Sequence, residues 1–268
     1  LLIVKKLLVI LGLIGLLGAV AVGNAALKGT INIAGSTSVQ PLAEELAQAF
    51  MVKNKGVKIF VQGGGSSAGV KSALTGTADI GNCSRELKPE EQSLHETVIA
   101  KDGIAIVVNK SNSVSNLSFT QLQKIYTGEY KNWKEVGGPD EKIVVVNREA
   151  GSGTRGAFEE IVLHKLTNTS NCLVQASTGA VQQTVAVTKE AIGYISLGSY
   201  DPKAVKAVSI DNVSCNEAHI LAGQYKIQRP FLMLTKTAPT GITKAFIDWI
   251  LSKTGQKIVA KEYIPVKK

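Results

Sequence analysis

Short apolar runs alternate with segments whose apolar positions recur every three to four residues along most of the chain after residue 26. Strand-like runs fall at 31–34, 57–62, 78–81, 104–109, 142–147, 172–176, 193–196, 205–210 and 231–235. Helix-period segments fall at 41–53, where Leu42, Leu46, Ala49 and Phe50 share a face, and at 67–75, 120–127, 154–165, 179–189 and 240–252. This alternation predicts α/β layering with largely parallel sheets. No internal repeat is visible. Polar stretches at 109–113 and 215–224 read as boundaries, and they permit two lobes joined by more than one crossover if the last segment returns to the first lobe.

The start of the chain breaks this rhythm. Lys5 and Lys6 precede an apolar run from Leu7 to Val22 that ends in the small residues Gly23-Asn24-Ala25-Ala26. A basic start, an apolar middle and a small-residue zone predict a secretory signal peptide over residues 1–26. A retained membrane anchor is the competing reading, because the run falls just short of the roughly 20 residues a spanning helix needs. Either reading places the rest of the chain outside the cytoplasm.

Of 268 residues, 30 are Lys or Arg and 21 Asp or Glu, a formal net charge of +9. A basic surface suits nucleic acid, anionic membrane or a small anion. Nucleic-acid binding calls for basic residues interleaved with exposed aromatics, whereas aromatics are 5% of this chain and its lysines are scattered. No nucleic-acid partner is expected. Cys83, Cys172 and Cys215 lack metal-ligand spacing; in an exported chain Cys172 and Cys215 could pair and leave Cys83 free. His95, His164 and His219 lie far apart, so neither a metal nor a cofactor is expected.

Three predicted strand-to-helix corners share one chemistry: Gly35-Ser36-Thr37-Ser38, Gly63-Gly64-Gly65-Ser66-Ser67 and Gly151-Ser152-Gly153-Thr154. A helix N-terminus leaves backbone N–H groups unpaired and carries partial positive charge, so it stabilises an anion. At any single corner, Ser or Thr could simply cap its own helix. Three corners together favour a shared tetrahedral oxyanion. Arg148 precedes the third corner and supplies a guanidinium that can donate two parallel hydrogen bonds; its alternative role is a pair with Glu149. Arg85 at another strand end could contribute, with Glu86 as a competing partner. Arg155, one step into the following helix, reads as solvent-facing.

Two enzyme motifs compete with this reading. Gly64-x4-Gly69 nearly forms a P-loop, but Val70 puts Lys71 out of register. Gly65-x-Ser67-x-Gly69 matches the nucleophile motif of serine hydrolases, and such an enzyme would also need a histidine and an acid beside Ser67. That motif leaves the other two corners unexplained.

The segments "GSTSVQP", "GGGSSAGVK", "ADIGNCSRE", "REAGSGTRGAF", "STGAVQQTVAVTKEAIGYISLG" and "RPFLMLTK" occur in this order. In this the sequence resembles the periplasmic phosphate-binding proteins of ABC importers, the PstS type, from Gly29 to about Tyr263. The resemblance implies a two-lobed α/β periplasmic-binding-protein fold with each lobe a mainly parallel sheet flanked by helices. Residues 27–109 and 224–268 would form one lobe and 110–223 the other, closing on the ligand through a hinge near Asn109 and Lys110. It also implies inorganic phosphate as ligand, a membrane permease as partner, a monomer, and no catalysis. The implied phosphate contacts are Thr37, Ser38, Ser66, Ser84, Arg148, Ser152, Gly153 and Thr154. Well-known members carry an aspartate acceptor where this chain has Ser84, a weaker acceptor. Sulfate, molybdate and tungstate therefore remain as alternative ligands, with a serine hydrolase centred on Ser67 behind them.

Overall fold

The structure, a computed structural model, describes residues 26–164 and 166–266. All but the last residue of the expected signal segment lie outside these. In chain order the first half holds β1 (Lys28–Gly35), α1 (Gln40–Lys53), β2 (Gly56–Gln62), α2 (Ser66–Thr75), β3 (Ile80–Cys83), β4 (His95–Asn109), β5 (Asn116–Leu117) and α3 (Phe119–Thr127). The second half holds β6 (Val144–Arg148), α4 (Gly153–Phe158), β7 (Leu173–Gln175), α5 (Thr178–Val187), β8 (Ala191–Ser196), β9 (Val205–Ile210) and α6 (Glu217–Leu221). It ends with β10 (Gln228–Thr235), α7 (Gly241–Ile250), α8 (Lys253–Val259) and β11 (Ile264–Pro265).

The expected α/β alternation is present, built on a curled mixed sheet of order β2-β1-β3-β10-β4-β8-β6-β7. Parallel pairing joins β1 to β2 and β3, and β6 to β7 and β8. Antiparallel pairing enters through β4 and β10: β10 runs against β3 and β4, while β4 runs against β8, β9 and β11. The strand β4 is the physical link. Its residues from His95 to Gly103 pair with β10, and those from Ile104 to Asn109 pair with β8 and β9.

Burial follows the same division. Ile31, Ile33, Leu42, Leu46, Phe50, Ile99 and Phe246 pack in one core, and Ile104, Ile106, Trp133, Phe158 and Tyr194 in another. Each large apolar side chain so enclosed contributes about 1.5–3 kcal/mol. In α1 the buried Leu42, Leu46 and Phe50 recur at helical spacing behind Pro41 in the first turn. In α3 a reciprocal cap joins Ser118 and Gln121, and Gly128 ends the helix at φ 78°.

Within β4 the pairing partners change between Gly103 and Ile104. Two sequence expectations change. The helix expected over 154–165 is α helical only through Phe158 and continues as a π-helical turn, Glu159–Leu163. Cys172 and Cys215, considered as a disulfide, are free thiols, as is the buried Cys83; Cys172 and Cys215 pack instead at the border of the second core.

The helix α2 rests on the ends of β1 and β3 through Gly69. A Cβ at that position would lie 2.5 Å from the Asn82 carbonyl oxygen and 2.9 Å from that of Ala34. Both neighbours are backbone, so neither can rotate away. Gly69→Ala is expected to lower stability by about 1–3 kcal/mol, read as a reduced midpoint in urea unfolding.

Candidate anion-binding site

The three glycine- and hydroxyl-rich corners meet where the two cores adjoin. Thr37 and Ser38 follow β1, Ser66 opens α2, Ser84 follows β3, Arg148 ends β6, and Ser152, Gly153 and Thr154 begin α4. Ser38 Oγ is hydrogen-bonded to Thr154 Oγ1 at 2.9 Å, across 116 positions of sequence. Arg148 Nη2 donates to Thr37 Oγ1 at 3.3 Å. The Ser84 N–H donates to Ser66 Oγ at 3.0 Å. Gly153 closes the group, because a Cβ there would lie 2.0 Å from Ser66 Oγ and 2.6 Å from Ser84 Oγ. All eight residues named from the sequence thus fall in one cluster, and all but Thr37 are buried.

Helix capping accounts for part of this arrangement. Ser152 Oγ accepts from the Arg155 N–H at 3.2 Å, so it caps α4 while keeping its own proton to donate. Gly65, at the N-cap of α2, has no side chain to cap with. Its positive φ of 84° is one that glycine adopts readily.

Arg148 is 1% exposed and forms the pair with Glu149 that was its alternative role. Its Nε and Nη2 donate to the two oxygens of Glu149 at 2.9 and 2.8 Å. Nη1 and Nη2 reach Thr178 and Thr37. Arg155 does not simply face solvent, since its Nη1 donates to the Arg148 carbonyl oxygen at 3.0 Å and its Nε to Glu159. Arg85 pairs with Glu91 through two hydrogen bonds of 2.7 and 2.8 Å; Glu86 offers it only a backbone carbonyl.

Three participants were missed from sequence. Thr178 opens α5 and its hydroxyl lies 2.8 Å from Ser38 Oγ. The signal was present in Ser177-Thr178-Gly179 between a predicted strand and a predicted helix. The other two are Asp102 on β4 and Arg229 on β10, facing each other in register. Arg229 Nε and Nη2 donate to Asp102 Oδ2 at 3.1 and 2.9 Å, and Nη1 donates to the Ser84 carbonyl oxygen at 3.1 Å. Asp102 Oδ1 accepts from the Ser196 hydroxyl and the Leu197 N–H. Burial pushes the Asp102 carboxyl up from its ordinary value, opposed by the Arg229 charge and these donors.

Ser67 lies on the exposed side of α2, and its N–H donates to the Gly151 carbonyl oxygen at 3.1 Å. It lines a cleft of about 370 Å³ with Arg85, Glu86, Ser152, Gly156 and Glu160. No histidine lines that cleft, so the Ser-His-acid arrangement is not present among its lining residues.

Comparison with known proteins identifies the family. The model of the PBP superfamily domain matches residues 20–254. The phosphate-binding protein PstS of Bacillus subtilis is 35% identical over 252 residues, 92% of this chain and 84% of that protein. The chain belongs to the PstS family. A Clostridium perfringens protein, provisionally described as a phosphate ABC transporter substrate-binding protein and solved with bound phosphate, is 45% identical. It superposes with a TM-score of 0.86 over 89% of this chain and all of that one. An ABC-type phosphate transport receptor from Vibrio cholerae is 38% identical, with a TM-score of 0.74 over 88% of this chain and all of that one.

Breaking the Asp102–Arg229 pair from one side leaves a buried charge without its partner. Asp102→Ala is expected to cost about 3–5 kcal/mol, measured by chemical unfolding.

Proposed function

We infer that this PstS-family chain captures inorganic phosphate outside the cytoplasm and hands it to an ABC import permease. The observation that carries this reading is the clustering of hydroxyls from four separate helix starts, two of which, Thr37 and Thr178, accept from the buried Arg148. A tetrahedral oxyanion needs donors from several directions, and backbone N–H groups at helix starts and short hydroxyls supply them without adding net charge.

In this reading Thr37, Ser38 and Ser66 bind from one lobe and Arg148, Ser152, Gly153 and Thr154 from the other, with Ser84 at the junction. We place the hinge where β4 changes partners, at Gly103 and Ile104, and where the chain returns at Ile227 and Gln228. The Ile104 N–H donates to the Ile227 carbonyl oxygen at 2.8 Å, so the two crossovers lie side by side. Among the described residues no helix is long and apolar enough to cross a membrane. The leader at residues 1–26 would carry the binding protein, a monomer, across the membrane.

Isothermal titration with phosphate, sulfate, molybdate and tungstate tests the reading. Phosphate binding is expected, and its absence at millimolar phosphate would sink the proposal. Arg148→Ala is expected to weaken phosphate binding by more than tenfold, since a hydrogen bond to a charged group contributes about 1.5–3 kcal/mol; an unchanged affinity removes Arg148 from the site.

A further inference from the structure

The first four lysines of the described chain gather at one end of the sheet. β1 and β2 pair in parallel with Lys28 opposite Gly56 and Thr30 opposite Lys58, so Lys28 and Lys58 share the face turned away from the core. Lys53 ends α1, and Lys55 lies in the turn to β2. The Ile59 N–H donates to Met51 Sδ at 3.2 Å, which holds the last turn of α1 against the free edge of β2. All four lysines are exposed. Two apolar side chains stand exposed beside them: Val52, 60% exposed in the last turn of α1, and Phe60, 54% exposed on the same outer face as Lys58.

No carboxylate neutralises this group. Among the described residues the lysines in salt bridges are Lys124, Lys134, Lys244 and Lys261. Asp79, just before β3, accepts from the Asn32 N–H at 2.7 Å. Local uses of lysine explain only part of the pattern. Lys53 suits the negative end of α1, and a lysine on an edge strand deters pairing with another chain, but neither use calls for an exposed phenylalanine and valine alongside. Positive charge around exposed apolar side chains matches an anionic lipid surface, where ammonium groups meet the headgroups and apolar side chains reach the boundary beneath them. The entry of the chain favours a bilayer over an acidic protein. The apolar run from Leu7 to Val22 ends six residues before Lys28, and a fully extended link of that length spans about 20 Å. Whenever that run is in a bilayer, as both readings of the leader require at some stage, the lysines stand within that distance of headgroups.

We propose that this end of β1 and β2, with Lys28, Val52, Lys53, Lys55, Lys58 and Phe60, is a docking surface for an anionic phospholipid bilayer. It is separate from phosphate capture, because the ligand corners lie at the opposite ends of these strands, after Gly35 and Gln62. A basic patch joined to one inserted apolar chain makes a stable attachment, and the patch alone a reversible one. The protein therefore stays near the membrane even after its leader is removed.

Co-sedimentation with vesicles tests the assignment, using the chain from Leu27 onward, which keeps both cores. One set of vesicles holds equal parts phosphatidylglycerol and phosphatidylcholine, the other phosphatidylcholine alone. Binding is expected on the anionic vesicles only, fading as salt is added. Lys28→Gln, Lys53→Gln, Lys55→Gln and Lys58→Gln together are expected to weaken it by about a hundredfold or more, since each lysine near such a surface contributes about fivefold. Lys142→Gln, Lys189→Gln, Lys203→Gln and Lys236→Gln together remove equal charge from exposed positions elsewhere, and are expected to cost less than about tenfold. Phosphate titration tests the phosphate reading separately and is expected to give one affinity for all three proteins. Equal binding to neutral vesicles, or equal losses in the two variants, overturns the proposal. No binding to anionic vesicles also overturns it and leaves the patch to an acidic protein surface.

Discussion

The buried pair of Asp102 and Arg229 is the constraint on which the rest of the molecule turns. Taking two charges out of water costs several kcal/mol per ion, and attraction offsets this only when the remaining hydrogen-bond capacity is filled. Here it is filled by parts of the fold that would otherwise be independent. Ser196 and Leu197 reach Asp102 from the end of β8, and Arg229 reaches Ser84 after β3. The two strands that carry the pair are those that pass between the cores. Directed bonds thus tie these parts together at the junction.

The same economy governs the cluster of hydroxyls and arginines. Each of its arginines already has a carboxylate: Arg148 has Glu149, Arg229 has Asp102, Arg155 has Glu159 and Arg85 has Glu91. What the cluster offers an anion is oriented N–H and O–H groups, locked by packing and by bonds to one another. Networks of this kind are rigid when every member is satisfied. Gly153 belongs to that logic too, because only a residue without a side chain leaves room for Ser66 and Ser84.

Much of this was legible in the sequence, for identifiable reasons. The nine apolar runs all overlap strands and the helix-period segments all overlap helices, mostly because both periods were carried by residues that end in a core; β7, with Leu173 and Val174 exposed, is the exception. The corners were legible because three of them repeat one chemistry, which a single serine cap would not require. What escaped were features whose cause lies elsewhere in the chain. Lys101-Asp102-Gly103 looks locally like a turn, so the first part of β4 was missed; only Arg229, 127 positions away, explains an aspartate inside a strand. Arg229-Pro230 likewise looks like a strand boundary until Asp102 is opposite it. Strands β5 and β11 have two residues each, too few for any period, and α8 hides behind Gly255 in its first turn.

The pre-paired arginines have a consequence for how the ligand's charge is felt. A dianion entering a cluster without net charge of its own is held by dipoles a few ångströms long, whose fields die away well inside the Debye length of about 8 Å at physiological ionic strength. Dissolved salt has little purchase on such contacts. The scattered surface lysines, by contrast, act at long range and fade as salt is added. Capture in this protein is accordingly divided between an outer field that the medium can weaken and an inner grip that it barely reaches.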